Sequence, residues 1–440
     1  TANNNTAVGV DALGLNTTGT NNTALGQGAL DVNTTASNNT GLGTQTLSAN
    51  TTGANNTAVG FAALEANTTA ANNTAVGFTA LLSNTTGADN VAVGLAAMEV
   101  NTTGSDNTAL GRSALAANTT ASNNIAIGRN ALLANTTASN NTAVGNEALL
   151  SNTTGTENNA FGQGALRSNT TANYNTAMGN GSLRANTTGA DNVAIGVAAL
   201  NANTTAANNT AVGRSALLAN TTGADNTGLG HQSLTSMTTG TGTTAIGKDS
   251  GIDITTGNNN TCLGAAAGND LTTGTQNVFV GYNARPSAAG DNYSIVIGTD
   301  QDLGKGSSTA FIAPNGGGVY QDNNASTWST VSDRRIKKNI EDNNTGLEAI
   351  KQIQVKNFEY RTKDEIVDFE NPTAAVVNKE GTQLGVIAQE IELILPDVVK
   401  QESTGVKSVN PDNLTWYLIN AVKELSTQVD ELKQELLALK

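Results

Sequence analysis

A chain of 440 residues would ordinarily hold two or three domains, but here only 3% of residues are aromatic and 13% charged, while Asn, Thr, Ala and Gly dominate. A formal charge of −14 disfavours nucleic acid or an anionic membrane surface as a partner. Cys262 is the single cysteine, which excludes internal disulfides and zinc clusters; no transmembrane or signal segment is visible, and no metal or cofactor is expected.

The low hydrophobicity does not read as disorder, because disordered chains are usually rich in charge and proline and this one has five Pro. The chain opens at Thr1 within a repeat, Thr1-Ala2-Asn3-Asn4-Asn5-Thr6. That start reads as a truncation, with an N-terminal anchoring region expected beyond it.

Glycines recur every seventeen residues from Gly9, Gly26 and Gly43 to Gly281 and Gly298, without slippage. The unit is roughly N-T-A-V-G-x-x-A-L-x-x-N-T-T-G-x-N. A fixed period without insertions makes each repeat one rung of a stack. Two bulky apolar columns recur, one through Val8, Leu25 and Leu42, the other through Leu13, Leu30 and Leu47. Seventeen residues are too few for a helical hairpin, so the unit predicts one β-solenoid coil, with Gly and Asn at the positive-φ corners. Asn and Thr columns then stack as side-chain ladders. The residue before the bulky Val is nearly always Ala or Gly (Ala7, Ala24, Gly41), and Cys262 takes that slot as a small, tightly packed residue. Two bulky residues per coil make a thin core, and the small column reads as close approach by a neighbouring chain, hence a homotrimer.

The A-V-G-x-x-A-L unit resembles the head repeats of trimeric autotransporter adhesins, and also repeats in phage tail fibres. The resemblance covers residues 1–298 and implies a parallel β-roll.

Residues 299–331 are non-repetitive and hold Tyr320 and Trp328; they read as a cap over the last coil, or as a fibre tip. From Ser332 the chain becomes charged: seven Lys and Arg lie in residues 1–300 and fifteen in 301–440. Leu347 to Tyr360 predicts a short helix running into a strand, and a last helix is expected from about Asp412, after Pro411. Its apolar residues Leu418, Val422, Leu425, Val429, Leu432, Leu436 and Leu439 alternate steps of four and three, a heptad seam that predicts a coiled coil over about 412–440.

Three motifs in 332–440, S-D-R-R-I-K-K-N-I, L-G-V-I-A-Q-E-I followed by L-P-D-V-V, and A-V-K-E-L, resemble the endosialidase-type intramolecular chaperone, the self-cleaving C-terminal domain of phage tail spikes and fibres. The fold expected is thus mainly β: a trimeric β-solenoid or β-roll fibre of seventeen-residue coils over 1–298, then 299–331, then a small α+β chaperone domain ending in a coiled-coil helix. The resemblance implies that Ser332 is the nucleophile, Lys337 its partner, and that the bond between Val331 and Ser332 is cut once per chain. A serine hydroxyl needs a base within hydrogen-bond reach. A lysine serves only where burial or neighbouring positive charge favours its neutral form, and Arg334, Arg335 and Lys338 crowd Lys337.

The function these features imply is a phage tail fibre, located on the virion, that binds a host cell-surface glycan or protein and joins a tail structural protein through the missing N-terminal region. Tyr320 and Trp328, and Phe61 and Phe78 in the variable column after the repeat Gly, are candidate receptor contacts. The same architecture fits a bacterial surface adhesin, or the fibre of an injection system. An ice-binding solenoid is a remote alternative suggested by the Thr columns, though adjacent Thr in a strand point to opposite faces. No separate catalytic domain with paired carboxylates is visible, so no activity on external substrates is expected.

Overall fold

The computed structural model describes residues 2–298, 303–313, 318–322, 329–330, 332, 334–362, 365, 377, 379–402 and 405–439. The chain divides into two compact units, Thr1–Val331 and Ser332–Lys440.

In the first unit each seventeen-residue repeat is one coil of a β-solenoid. Every coil contributes a short strand, in a series from β1 (Thr6–Val8) to β17 (Val278–Val280) and β18 (Ile295–Gly298). Successive strands pair in parallel at a shift of one repeat, so Thr108, Ala109 and Leu110 face Ile125, Ala126 and Ile127. At the usual spacing between paired strands, seventeen intervals span about 80 Å. The second apolar stretch of the repeat forms no strand; it lies in turns.

Strand alternation decides what enters the core. The middle residue points inward: Ala24, Ala58, Ala75 and Ala92 have no exposed surface. The bulky residue after it points out, and Val8 remains 57% exposed and Leu263 46%. This corrects two expectations. The small column fills the coil's own interior rather than meeting a neighbouring chain, and only one bulky column, that of Leu30, Leu47 and Leu64, is buried. Where a larger side chain intrudes on the alanine column, the strand residue shrinks. Gly41 sits beside Thr46, whose Oγ1 would lie 2.8 Å from an added Cβ.

The buried leucines adopt left-handed backbone angles, φ +55° at Leu30 and +50° at Leu132. The corners are therefore not reserved for Gly and Asn. The repeat glycine has a stricter reason: Gly128 has φ +132°, and a Cβ there would lie 2.5 Å from the carbonyl oxygen of Gly145 in the next coil.

Asparagine completes the interior. Asn135 Nδ2 donates to Asn118 Oδ1 at 3.2 Å in the previous coil and to the carbonyl of Ala138 at 2.9 Å. In a second buried column, the backbone N–H of Asn141 donates to Asn124 Oδ1 at 3.0 Å, and Asn124 Nδ2 to the Ala138 carbonyl at 3.0 Å. A threonine column adds hydroxyl-to-carbonyl bonds, Thr119 Oγ1 to Thr136 at 3.1 Å. Burying amides is tolerable because these partners are supplied by every neighbouring coil.

The core changes character near its C-terminal end. Met237, Ile254 and Leu271 replace asparagine in the Asn118–Asn135 column, all fully buried. Asn220 Oδ1, at the junction, is buried without a partner. Gly251 and Gly268 meanwhile take the leucine slot, and an added Cβ at Gly251 would meet Leu234 at 2.8 Å and Ile254 at 3.1 Å. The bulky group has moved across the coil. Phe279, Val296 and Phe311 then fill the inner strand column. Beyond the last repeat, β19 (Ala310–Ala313) continues the parallel ladder, and β20 (Val319–Gln321) and β21 (Ser329–Thr330) turn back antiparallel.

The second unit is a small α+β assembly. Helix α1 (Leu347–Gln352) precedes β22 (Lys356–Phe358), which pairs antiparallel with β23 (Gln383–Gly385). Helix α2 (Ala388–Glu392) leads to the antiparallel pair β24 (Val399–Gln401) and β25 (Lys407–Val409). The 28-residue helix α3 (Pro411–Ala438) starts on Asn410, whose side chain accepts from the Asp412 N–H at 2.9 Å, with Pro411 at the first helical position. Ala349, Ile391, Leu395, Val398 and Tyr417 form its core. Glu424 on α3 accepts the Leu347 N–H at 2.8 Å, which satisfies a free donor at the start of α1.

Candidate functional site at Ser332 and Lys337

A single turn of 3-10 helix, Arg334–Ile336, follows Ser332. It reverses the chain, and the Lys337 N–H donates to the Arg334 carbonyl at 3.2 Å. The turn returns the lysine side chain to the serine: Lys337 Nζ donates to Ser332 Oγ at 2.7 Å. The two functional groups, five residues apart in sequence, are thus in direct contact. Arg334 and Lys338 are exposed beside them, as are Ser332 and Lys337 themselves. Val331 lies outside the described residues.

The arrangement brings a hydroxyl and an amine within the distance needed for proton transfer. With the amine neutral, the same contact would let Ser332 Oγ–H donate to Lys337 Nζ and leave the oxygen nucleophilic.

The other sequence-predicted sites behave differently. Phe61 and Phe78 are exposed and stacked on each other, with ring centroids 5.2 Å apart and planes 16° from parallel. Each ring therefore turns one face to the other ring, and both side chains stay about half exposed. Tyr320 on β20 is partly buried and packs on the solenoid core, and Trp328 lies outside the described residues. Of the threonine pairs, the first hydroxyl is taken by a backbone carbonyl, as at Thr17 to Thr34 (2.9 Å). Only the second column is left to solvent. Cys262 is fully buried, and burial pushes its thiol up to about 12.

One polar cluster on the shaft was not anticipated from the sequence. Glu147 Oε2 accepts from Arg167 Nε at 2.9 Å and lies near Arg129. The hydrogen bond from Arg167 holds its carboxyl below the usual range. The repeat length brings these charges together, since residues about seventeen apart stand one coil above another.

Among the described residues, no helix is long and apolar enough to cross a membrane, and no group of three or more His, Cys, Asp or Glu is placed to hold a metal ion.

Residues 332–400 match the family model described as chaperone of endosialidase. Comparison with curated proteins gives no match, and comparison with solved structures gives none either. The molecule is therefore a repeat β-solenoid followed by a small α+β unit whose residues 332–400 are similar to the chaperone of endosialidase. The match begins at Ser332, the residue that also opens the second compact unit.

Proposed function

We propose that the chain is a phage tail-fibre protein whose C-terminal unit directs assembly of a homotrimer and then severs itself between Val331 and Ser332. The observation that carries this reading is the 2.7 Å contact between Ser332 and Lys337 at the first residues of the family-matched segment.

The chemistry would run as follows. Lys337 takes the Oγ proton as Ser332 Oγ attacks the Val331 carbonyl carbon. Collapse of the tetrahedral intermediate breaks the Val331–Ser332 C–N bond, with a proton passing to the departing amine. Nucleophile and leaving amine belong to the same residue, so the product is an ester that still joins the two parts. One water then hydrolyses it, releasing the Val331 carboxylate and restoring the Ser332 hydroxyl. The event happens once per chain and is maturation rather than turnover. In the isolated chain the pair is open to water, and packing of chains together would supply the burial that activates it.

The need for a chaperone follows from the repeat. Coils that resemble one another pair as well out of register as in register. A C-terminal unit that associates first would set chain number and alignment, and its removal would leave the assembled shaft kinetically trapped. The working fibre would attach to a host cell-surface glycan or protein with avidity from several copies. The segment 299–331, with Tyr320 and Trp328, would stand at the tip.

Expression of the full-length chain tests the reading. A fragment beginning at Ser332 is expected, and Ser332→Ala is expected to stay intact. A wild-type chain that remains whole under conditions where it is folded refutes self-processing.

A further inference from the structure

The cations of the shaft are gathered in one stretch and on one side. Residues 1–111 hold no Lys or Arg, and five of the seven in residues 1–300 are the arginines from Arg112 to Arg214. All five occupy two columns of the turn that follows each strand. Arg112, Arg129 and Arg214 come directly after the repeat Gly, and Arg167 and Arg184 directly after the buried Leu. The first four lie within five successive coils, a length of about 20 Å. Of the acids in those coils, Asp106 and Glu157 stand before the strand, at its other end, and Glu147 alone shares the turn. Like charges one coil apart are closer than the screening length of about 8 Å, so they repel. The shaft keeps this basic face although the whole chain carries −14.

Glu147 shows what the turn can hold. Arg167 Nε, from the next coil, donates to one carboxylate oxygen at 2.9 Å, and Arg129 Nη2, from the previous coil, approaches the other to 3.7 Å. Two guanidinium groups thus converge on a single carboxylate. Arg112 and Arg184, at the two ends of the face, are exposed and make no ion pair among the described residues. Between them the column after the repeat Gly carries amides. Asn180 Nδ2 donates to Gln163 Oε1 at 3.2 Å, and Asn146 Oδ1 is shielded from water without a hydrogen-bond partner.

We infer that this turn face, from Arg112 to Arg184, binds an acidic polysaccharide, with arginines taking its carboxylates and the amides taking ring hydroxyls. The inference rests on the reading of the shaft as a host-attaching fibre, and gives its ligand a chemical class. The distribution of charge favours a glycan over nucleic acid. A phosphodiester backbone is charged at every nucleotide, and it would meet the Glu147 carboxylate in the middle of the face. A glycan with carboxylates at intervals leaves neutral, hydroxyl-bearing stretches that match the amides. Planar guanidinium groups also suit a carboxylate, which they engage through two parallel hydrogen bonds.

The test is binding of the full-length chain to polygalacturonate, with its fully methyl-esterified form and duplex DNA as comparisons. Binding to the free acid is expected, with none to the ester, in which the same sugars carry no charge. Arg112→Gln with Arg184→Gln should weaken it about ten-fold, since both side chains are exposed and unpaired. Lys248→Gln, four coils beyond Arg184 on the same shaft, should leave it unchanged. Glu147→Gln removes the internal competitor for Arg129 and Arg167 and should tighten binding several-fold, a gain that damage to the fold would not produce. No binding to the free acid, equal binding to the ester, preference for DNA, or weaker binding by Glu147→Gln would overturn the inference. The fragment starting at Ser332, followed in the same samples, reports separately on self-processing, so the two readings can fail independently.

Discussion

Left-handed backbone costs a leucine about 1–2 kcal/mol, yet Leu115, Leu132 and Leu149 all adopt it. Burial of the whole side chain, worth about 1.5–3 kcal/mol, offsets that strain, and all three have no exposed surface. Sequence reasoning placed Gly and Asn at such corners because local strain was the only term visible; the compensating burial is a property of the stack. The amides show the same dependence. Asn135→Ala would orphan Asn118 Oδ1 and open a small void, so a loss of about 2–3 kcal/mol is expected, against a few tenths for Thr137→Ala on the exposed column. Chemical denaturation of the two variants checks the contrast, and equal midpoints would contradict it. Asn220, whose Oδ1 is already orphaned beside Met237, shows that the chain carries this cost at the one place where its core changes chemistry. Cys262 was legible as a packed residue, and its raised pKa makes a second prediction. The folded thiol stays neutral up to about 12, while the unfolded one ionises near 9.0. The unfolded state thus binds fewer protons between these values, so this group's contribution to stability is complete below about pH 9 and falls as pH rises toward 12. Thiol-specific reagent should label Cys262 only on unfolding; rapid labelling of the folded chain at pH 8 would contradict its burial.

At the scale of elements, the seventeen-residue period, the parallel stack and the terminal helix could all be read from spacing alone. The side of the strand could not. Ala and Val alternate in T-A-V, and either could have been the inner residue; the choice is set by the leucine column, which already fills the interior and leaves room only for a methyl group. Helix α3 presents a related case in the second unit. Its heptad seam is open in the single chain, with Leu425 50% exposed, Leu432 63% and Leu436 61%. A seam this exposed over 28 residues is expected to be covered by the same helix from other copies. Leu425→Asp with Leu432→Asp should therefore lower the oligomeric state of the uncleaved Ser332→Ala protein in light scattering while α1 and β22–β25 remain folded. An unchanged mass would count against a coiled coil.

For the whole molecule, the two units divide where composition changes, and the proposed self-cleavage falls at the division. The serine and lysine were legible from a motif, but their contact depends on the 3-10 turn at Arg334–Ile336, a feature with no periodic signature. The proposed receptor contacts were the least legible, because exposure in one chain does not say whether a side chain faces solvent, a neighbouring coil or another copy. Phe61 and Phe78 illustrate this: they satisfy one another. The central claim, a shaft freed by its own chaperone, is tested most directly by intact mass and N-terminal sequencing of purified full-length protein. The account predicts two products from the 44.5 kDa chain, one of them beginning at Ser332, and a single uncut species for Ser332→Ala. A folded wild-type chain of full mass, or a fragment that persists in Ser332→Ala, would contradict it.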